Sequence, residues 1–226
     1  MHVPDGFIDG PTSLAAAAVA AGAVTVALRR AGSTLDDRVV PLAGLVSAFV
    51  FALQMLNFPV AGGTSGHLLG GALAAILVGP ALAIVVMTVV LGVQALVFAD
   101  GGLSALGVNI VLMGLVAVAV GHGVFTILVR VLPVGQRQIV AASAIAAWTS
   151  VVVASIAFSV IFSFGGTVEI PMATLTGAMV GVHVLVGVGE AIITAMTVAA
   201  IVAVRPDLIH AGSTRTAQVS PAVSSR

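Results

Sequence analysis

The chain opens Met1-His2-Val3-Pro4. Its first two residues hold three nitrogens suited to one metal ion. The α-amine and the deprotonated amide nitrogen of His2 close a five-membered chelate ring. That amide and the imidazole Nδ1 of His2 close a six-membered one. Three nitrogens in a plane leave a fourth position open. His67, directly after Gly62-Gly63-Thr64-Ser65-Gly66 and at the start of a short apolar segment, is the side chain able to fill it. The glycines let backbone approach a site closely. Four nitrogens in a square suit Ni²⁺ or Cu²⁺ and are also open to Co²⁺, whereas Zn²⁺ prefers a tetrahedron. The chain has no cysteine and five histidines, so thiolate sites and disulfides are excluded.

Other polar side chains stand near the outer ends of apolar runs. Gln54, Asn57, Gln94 and Asn109, with Asp5 and Ser65, are read as groups that orient a ligating histidine or tie helices together. His183 and Glu190 lie seven residues apart, on one face of the last helix. Glu190 is the one carboxylate deep in an apolar run, and the pair is read as structural or as a proton or ion relay. His122 is read as structural, and His210 is assigned nothing. Gly63-Thr64-Ser65-Gly66 matches the Gly-x-Ser-Gly pattern of rhomboid-like intramembrane serine proteases, with His183 as a base. The Trp-Arg and Ala-His-x-x-Gly motifs of that family are missing, which makes this a remote reading.

The elements that position these residues follow from composition. Of 226 residues, 60% are hydrophobic and 7% are charged, against about 25% charged in a soluble domain. No Asp, Glu, Lys or Arg occurs from residue 39 to 99. The pattern predicts an all-α integral membrane protein, a bundle of seven helices at 12–28, 39–56, 67–78, 81–98, 106–129, 138–162 and 172–204. The third, about 18 Å long, is too short to span alone. The segment before it should therefore enter the membrane as irregular backbone buried in protein.

Arg29, Arg30, Arg38, Arg130, Arg137, Arg205 and Arg215 all fall on one side, which the positive-inside rule makes cytoplasmic. The N-terminus is then outside, tucked toward the metal site, and the C-terminus cytoplasmic. The outer loops carry Asp5, Asp9, Asp100 and Glu169, an acidic mouth for cations or simple turn chemistry. The first 13 residues lack a signal-peptide pattern, so the chain is expected to keep Met1. One membrane domain is expected over 1–205 and a disordered tail over 206–226. The net charge of zero argues against a nucleic-acid partner.

Several stretches together resemble one family. They are Met1 to Ile8, Asn57-Phe58-Pro59-Val60, Gly62 to His67, Gly79-Pro80, Gln94-Ala95-Leu96, Asp100-Gly101-Gly102-Leu103, Leu106-Gly107-Val108-Asn109, and His183 with Gly187 to Ala191. In this order they are similar to the cobalt/nickel substrate-capture components of energy-coupling factor transporters, the CbiM/NikM type. The resemblance implies a metal held by the Met1 amine, the His2 amide and Nδ1, and His67. It implies Co²⁺ or Ni²⁺ as cargo, taken up at the cell membrane, with cobalamin biosynthesis as one destination. It also implies partners: a transmembrane coupling protein and two cytoplasmic ATPases, often with a small accessory membrane protein. This chain has no lysine and so no phosphate-binding Gly-x-x-x-x-Gly-Lys-Ser/Thr loop of its own, and the chain is not itself expected to be an enzyme. Pro4-Asp5-Gly6 replaces the Met-Glu-Gly of many members, and Gly66-His67-Leu68 replaces Ser-His-Pro, which leaves cobalt against nickel open. The reading of another class is a self-contained secondary transporter with a His183/Glu190 relay.

Overall fold

A computed structural model describes residues 1–32, 35, 37, 39–60, 65–133 and 135–210. Among the described residues there are seven helices: α1 (Gly10–Gly32), α2 (Val39–Gln54), α3 (Gly71–Val78), α4 (Pro80–Val97), α5 (Leu106–Val131), α6 (Gln136–Gly165) and α7 (Met172–Val204). Five of them, α1 and α4 to α7, are long and apolar enough to cross a membrane. The chain is a multi-pass membrane protein. Hydrocarbon offers no partner for backbone N–H and C=O groups, so uncharged apolar runs become helices. Their outward faces carry exposed Leu14, Leu45, Leu96, Leu185 and Met196, which suits lipid rather than water.

The helices alternate in direction, which sorts the connections into two ends. At one end the N-terminal segment meets the loops after α4 and α6. Asp9 N–H donates to the Gly165 carbonyl at 2.7 Å, Thr167 N–H to Phe7 at 3.1 Å and Gly102 N–H to Val3 at 2.8 Å. The opposite end carries Arg29 and Arg30 at the close of α1 and Arg130 near the close of α5. Arg137 and Arg205 join them there, at the start of α6 and just after α7. Arg38 and Arg215 lie outside the described residues.

The third helix departs from expectation. It starts at Gly71 rather than at 67, and its eight residues are all buried. The cause is Gly70, whose φ of 76° is left-handed and breaks the helix there. A Cβ on Gly70 would also lie 2.9 Å from the Val50 methyls of α2. His67 to Gly70, expected within the helix, are therefore irregular backbone within the bundle. A two-residue strand β1 (Phe58–Pro59) pairs antiparallel with β2 (Ser65–Gly66) at its mouth. Ala61 to Thr64, most of the expected glycine-rich loop, lie outside the described residues.

Two further features were not anticipated. Helix α5 contains a π-helical stretch, Ile110–Val116, directly after Asn109. Such widened turns concentrate at functional sites. The fold also continues past 205, where a tail was expected. Pro206–Leu208 forms a 3₁₀ turn, Ile209 is buried, and the His210 ring lies over Gly79 at the α3–α4 junction. A side chain at Gly79 would collide with that ring, which explains the close seat of this segment. Residues 211–226 lie outside the described residues.

Helices α3 and α5 pack closely through a glycine. A Cβ on Gly121 would stand 2.5 Å from the Ala72 Cβ, whereas one on Gly123 meets nothing within 4 Å. Gly121→Val should therefore lower stability by about 1–3 kcal/mol or more through overpacking, and Gly123→Val should not. Thermal unfolding midpoints in detergent check this; equal midpoints for the two variants would contradict the packing.

Candidate metal centre

The N-terminal octapeptide is threaded into the bundle by its apolar side chains. Met1, Val3, Phe7 and Ile8 are all buried in the main core. Phe7 packs its ring 6.1 Å from Phe158 and 5.2 Å from Phe162 of α6. Polar groups then fix the backbone. Asn109 Oδ1 accepts from Val3 N–H at 2.8 Å, and its Nδ2 donates to the Val3 carbonyl at 3.2 Å. Asp5, exposed, accepts from Ser104 N–H at 2.7 Å and from its hydroxyl at 2.6 Å. These bonds to Ser104 hold the Asp5 carboxyl below its usual range. Asp5 thus fastens the entering chain to the loop after α4 and does not face the centre.

At the centre several nitrogens stand buried together. The Met1 amine is enclosed, and burial pushes its pKa well below the ordinary value against the opposing pull of Asp100. A neutral amine offers a lone pair. The backbone N–H of His2 has no acceptor among the described residues, which is rare for a buried amide. The His2 imidazole donates from Nε2 to Gln94 Oε1 at 3.1 Å. Its Nδ1 faces Asp100 Oδ1, 3.1 Å away, with no aligned hydrogen bond. A cation at Nδ1, a proton or a metal ion, satisfies that carboxylate oxygen.

His67 completes the group. Its ring stacks on that of His2, with centroids 4.2 Å apart and planes inclined by 22°. Its Nδ1 must donate, because its partner at 2.8 Å is the Leu68 carbonyl oxygen. That fixes the tautomer and leaves Nε2 with a lone pair, buried and without a partner. Among the described residues no three His, Cys, Asp or Glu side chains are grouped to hold a metal. A site here must therefore draw on main-chain nitrogen.

Asp100 is the residue that sequence reasoning left out of the site. Its carboxyl is held below the usual range first by the facing His2 imidazole, 3.1 Å away, and then by the Asn57 amide. It is aimed by an uncommon backbone, because Ala99 adopts a φ of 52°. An Asp-Gly pair in an outer loop reads as a turn, and only that strained neighbour gives it away. Asn57 reaches the centre at one remove, donating to Asp100 Oδ2 at 3.3 Å. Gln94 and Asn109 touch His2 and Val3 directly, as described above. The side chain of Ser65 lies outside the described residues.

His183 and Glu190 do share a face of α7, and both meet the segment that carries His67. His183 donates from Nδ1 to the Met179 carbonyl at 2.7 Å, and its ring abuts Gly66. Glu190 accepts from Leu69 N–H at 2.5 Å and Gly70 N–H at 2.9 Å. No hydrogen bond joins His183 to Glu190 among the described residues.

Residues 2–208 match the family model described as the CbiM cobalt uptake substrate-specific transmembrane region. A relative in Haloquadratum walsbyi, named as a metal transport protein, is 39% identical over 209 residues, 92% of this chain and 93% of that one. A relative in Archaeoglobus fulgidus, named as a fused nickel transport protein, is 40% identical over 220 residues, 93% of this chain and 68% of its own length. A crystal structure of a transition metal transporter superposes with a TM-score of 0.85 at 28% identity, covering 98% of this chain and all of that one. An entering N-terminus, a buried pair of histidines and a match along nearly the whole chain converge: the protein belongs to the CbiM family of cobalt uptake transmembrane components.

Proposed function

We propose that this chain captures one Co²⁺ or Ni²⁺ ion from outside the cell for uptake. The Met1 amine, the His2 amide nitrogen, His2 Nδ1 and His67 Nε2 are its four ligands. One observation carries the reading. Each of these nitrogens is buried, and none has a satisfied hydrogen bond to protein among the described residues. Buried polar atoms are almost always partnered, so a cluster of exceptions points to a missing ligand. Asp100 supplies negative charge beside the ion, Gln94 orients the His2 ring, and Asn109 holds the following peptide. These are the outer supports that tune a metal site. Cobalt and nickel both fit the donor set.

Uptake then runs, in this reading, with a transmembrane coupling protein and two cytoplasmic ATPases, and with a small accessory membrane protein where one is present. The fused nickel transport relative, longer than this chain, supports a transporter of more than one component. The arginine-bearing end faces the cytoplasm and those partners. Reconstituted alone, the chain should bind metal and not accumulate it. Accumulation down a proton gradient without ATPases would favour the self-contained transporter instead.

Three variants test the site. An extra residue before Met1 removes the chelating amine and should abolish binding at one metal per chain; wild-type affinity in that variant would overturn the N-terminal chelate. His67→Ala should weaken binding by more than about 100-fold, beyond the range of outer supports. Asp100→Asn should weaken it about 10–100-fold with the ligand set unchanged. Equilibrium dialysis with Ni²⁺ or Co²⁺ reads all three.

A further inference from the structure

The irregular segment from His67 to Gly70 is gripped from two sides. On one side Gln54, at the end of α2, donates from Nε2 to the Leu69 carbonyl at 2.6 Å. On the other, the two carboxyl oxygens of Glu190 on α7 accept from Leu69 N–H at 2.5 Å and Gly70 N–H at 2.9 Å. Leu69 therefore has both of its main-chain polar groups bound by side chains from different helices. Gln54 is fully buried and Glu190 is 2% exposed. Next in line toward the metal, the Leu68 carbonyl takes the Nδ1 proton of His67. That bond sets both the tautomer and the direction of Nε2.

We infer that Gln54 and Glu190 are positioning residues for metal capture, a clamp on Leu69 and Gly70 that aims the Leu68 carbonyl and, through it, the His67 Nε2 lone pair. The inference rests on His67 being a ligand, as proposed above. Neither side chain touches the ion. Each acts through two or three links of backbone, the way outer supports act on a ligating histidine elsewhere. A shift of the segment would move Nε2 relative to the other three nitrogens. The arrangement also accounts for an expensive feature. A carboxyl group and an amide buried at membrane depth are costly, and here they are bound to a buried stretch of backbone outside any helix.

Glu190→Gln keeps one acceptor and turns an NH₂ group against a main-chain N–H. Gln54→Met removes the other grip at similar volume. Each should weaken Ni²⁺ binding about 10–100-fold, with one metal still bound at saturation. The visible absorption of the bound Ni²⁺ should move toward that of His67→Ala. Glu190→Asp, which keeps two acceptors, should recover part of the loss. The decisive comparison is a double-mutant cycle: in the His67→Ala background, Glu190→Gln and Gln54→Met should cost nothing further. A residue that only stabilises the bundle would lower the unfolding midpoint of metal-free protein and leave affinity and spectrum alone. That outcome, or equal losses with and without His67, overturns the clamp. Should Glu190→Gln fail to fold, Gln54→Met carries the same test. Wild-type binding by His67→Ala itself would instead refute the ligand set, which is a separate and distinguishable failure.

Discussion

The structure depends on four residues of non-helical backbone, His67 to Gly70, held within a helical membrane bundle. In hydrocarbon each unbonded N–H or C=O costs several kcal/mol. Such a stretch persists only where protein supplies its partners. Here α3 is wholly buried, so its approach never meets lipid. The β1–β2 pair satisfies the mouth of the segment, and Gln54 and Glu190 satisfy its inner end. Once these groups are bound, a histidine can sit off the helical lattice with one ring nitrogen anchored and the other free. A histidine inside a regular helix would point wherever its rotamer allowed.

The second half of the site is built by the opposite strategy. Met1 to Asp9 has little regular structure, yet it is anchored by four buried apolar side chains and by backbone bonds to Asn109, Gly102, Gly165 and Thr167. These contacts hold the chain start where water does not reach. Burial then does chemistry, because it disfavours the charged amine. On the proposed reading, the terminus that elsewhere frays and stays protonated serves here as a ligand. The π stretch adjoins the same device, since it begins directly after Asn109, the residue that reads the Val3 peptide.

Much of this was legible in the residues. The apolar runs between charges gave seven helices, because lipid leaves the backbone no alternative. The short third run implied irregular backbone before it. Met1-His2 and His67 were identifiable because nitrogen donors are scarce in this chain. The start of α3 was not legible, since an apolar run does not say which of two adjacent glycines, Gly70 or Gly71, breaks the helix; it is Gly70 that takes the left-handed conformation. Asp100 was read as part of a turn or an acidic mouth, because its approach to His2 depends on the Ala99 conformation. Glu190 was identifiable as unusual but not as the partner of Leu69 and Gly70, more than a hundred residues away. Residues 206–210 looked like tail until Ile209 and His210 met α3 and α4.

Charge balance explains why this donor set suits a doubly charged transition metal. A bare divalent ion in a low-dielectric interior is prohibitively unfavourable unless it is compensated. On the proposed reading, the ion displaces the proton from the His2 amide, which contributes one negative charge, and Asp100 contributes a second. The amine and both imidazoles are neutral donors. The filled site then carries no net charge. A monovalent ion would leave it negative. Mg²⁺ and Ca²⁺ prefer oxygen ligands and do not compete for a deprotonated amide, so they would leave the His2 proton in place and the centre uncompensated. Selectivity thus begins with the requirement that the cargo ionise a backbone amide, a step that Ni²⁺ and Co²⁺ can drive and the abundant hard cations cannot.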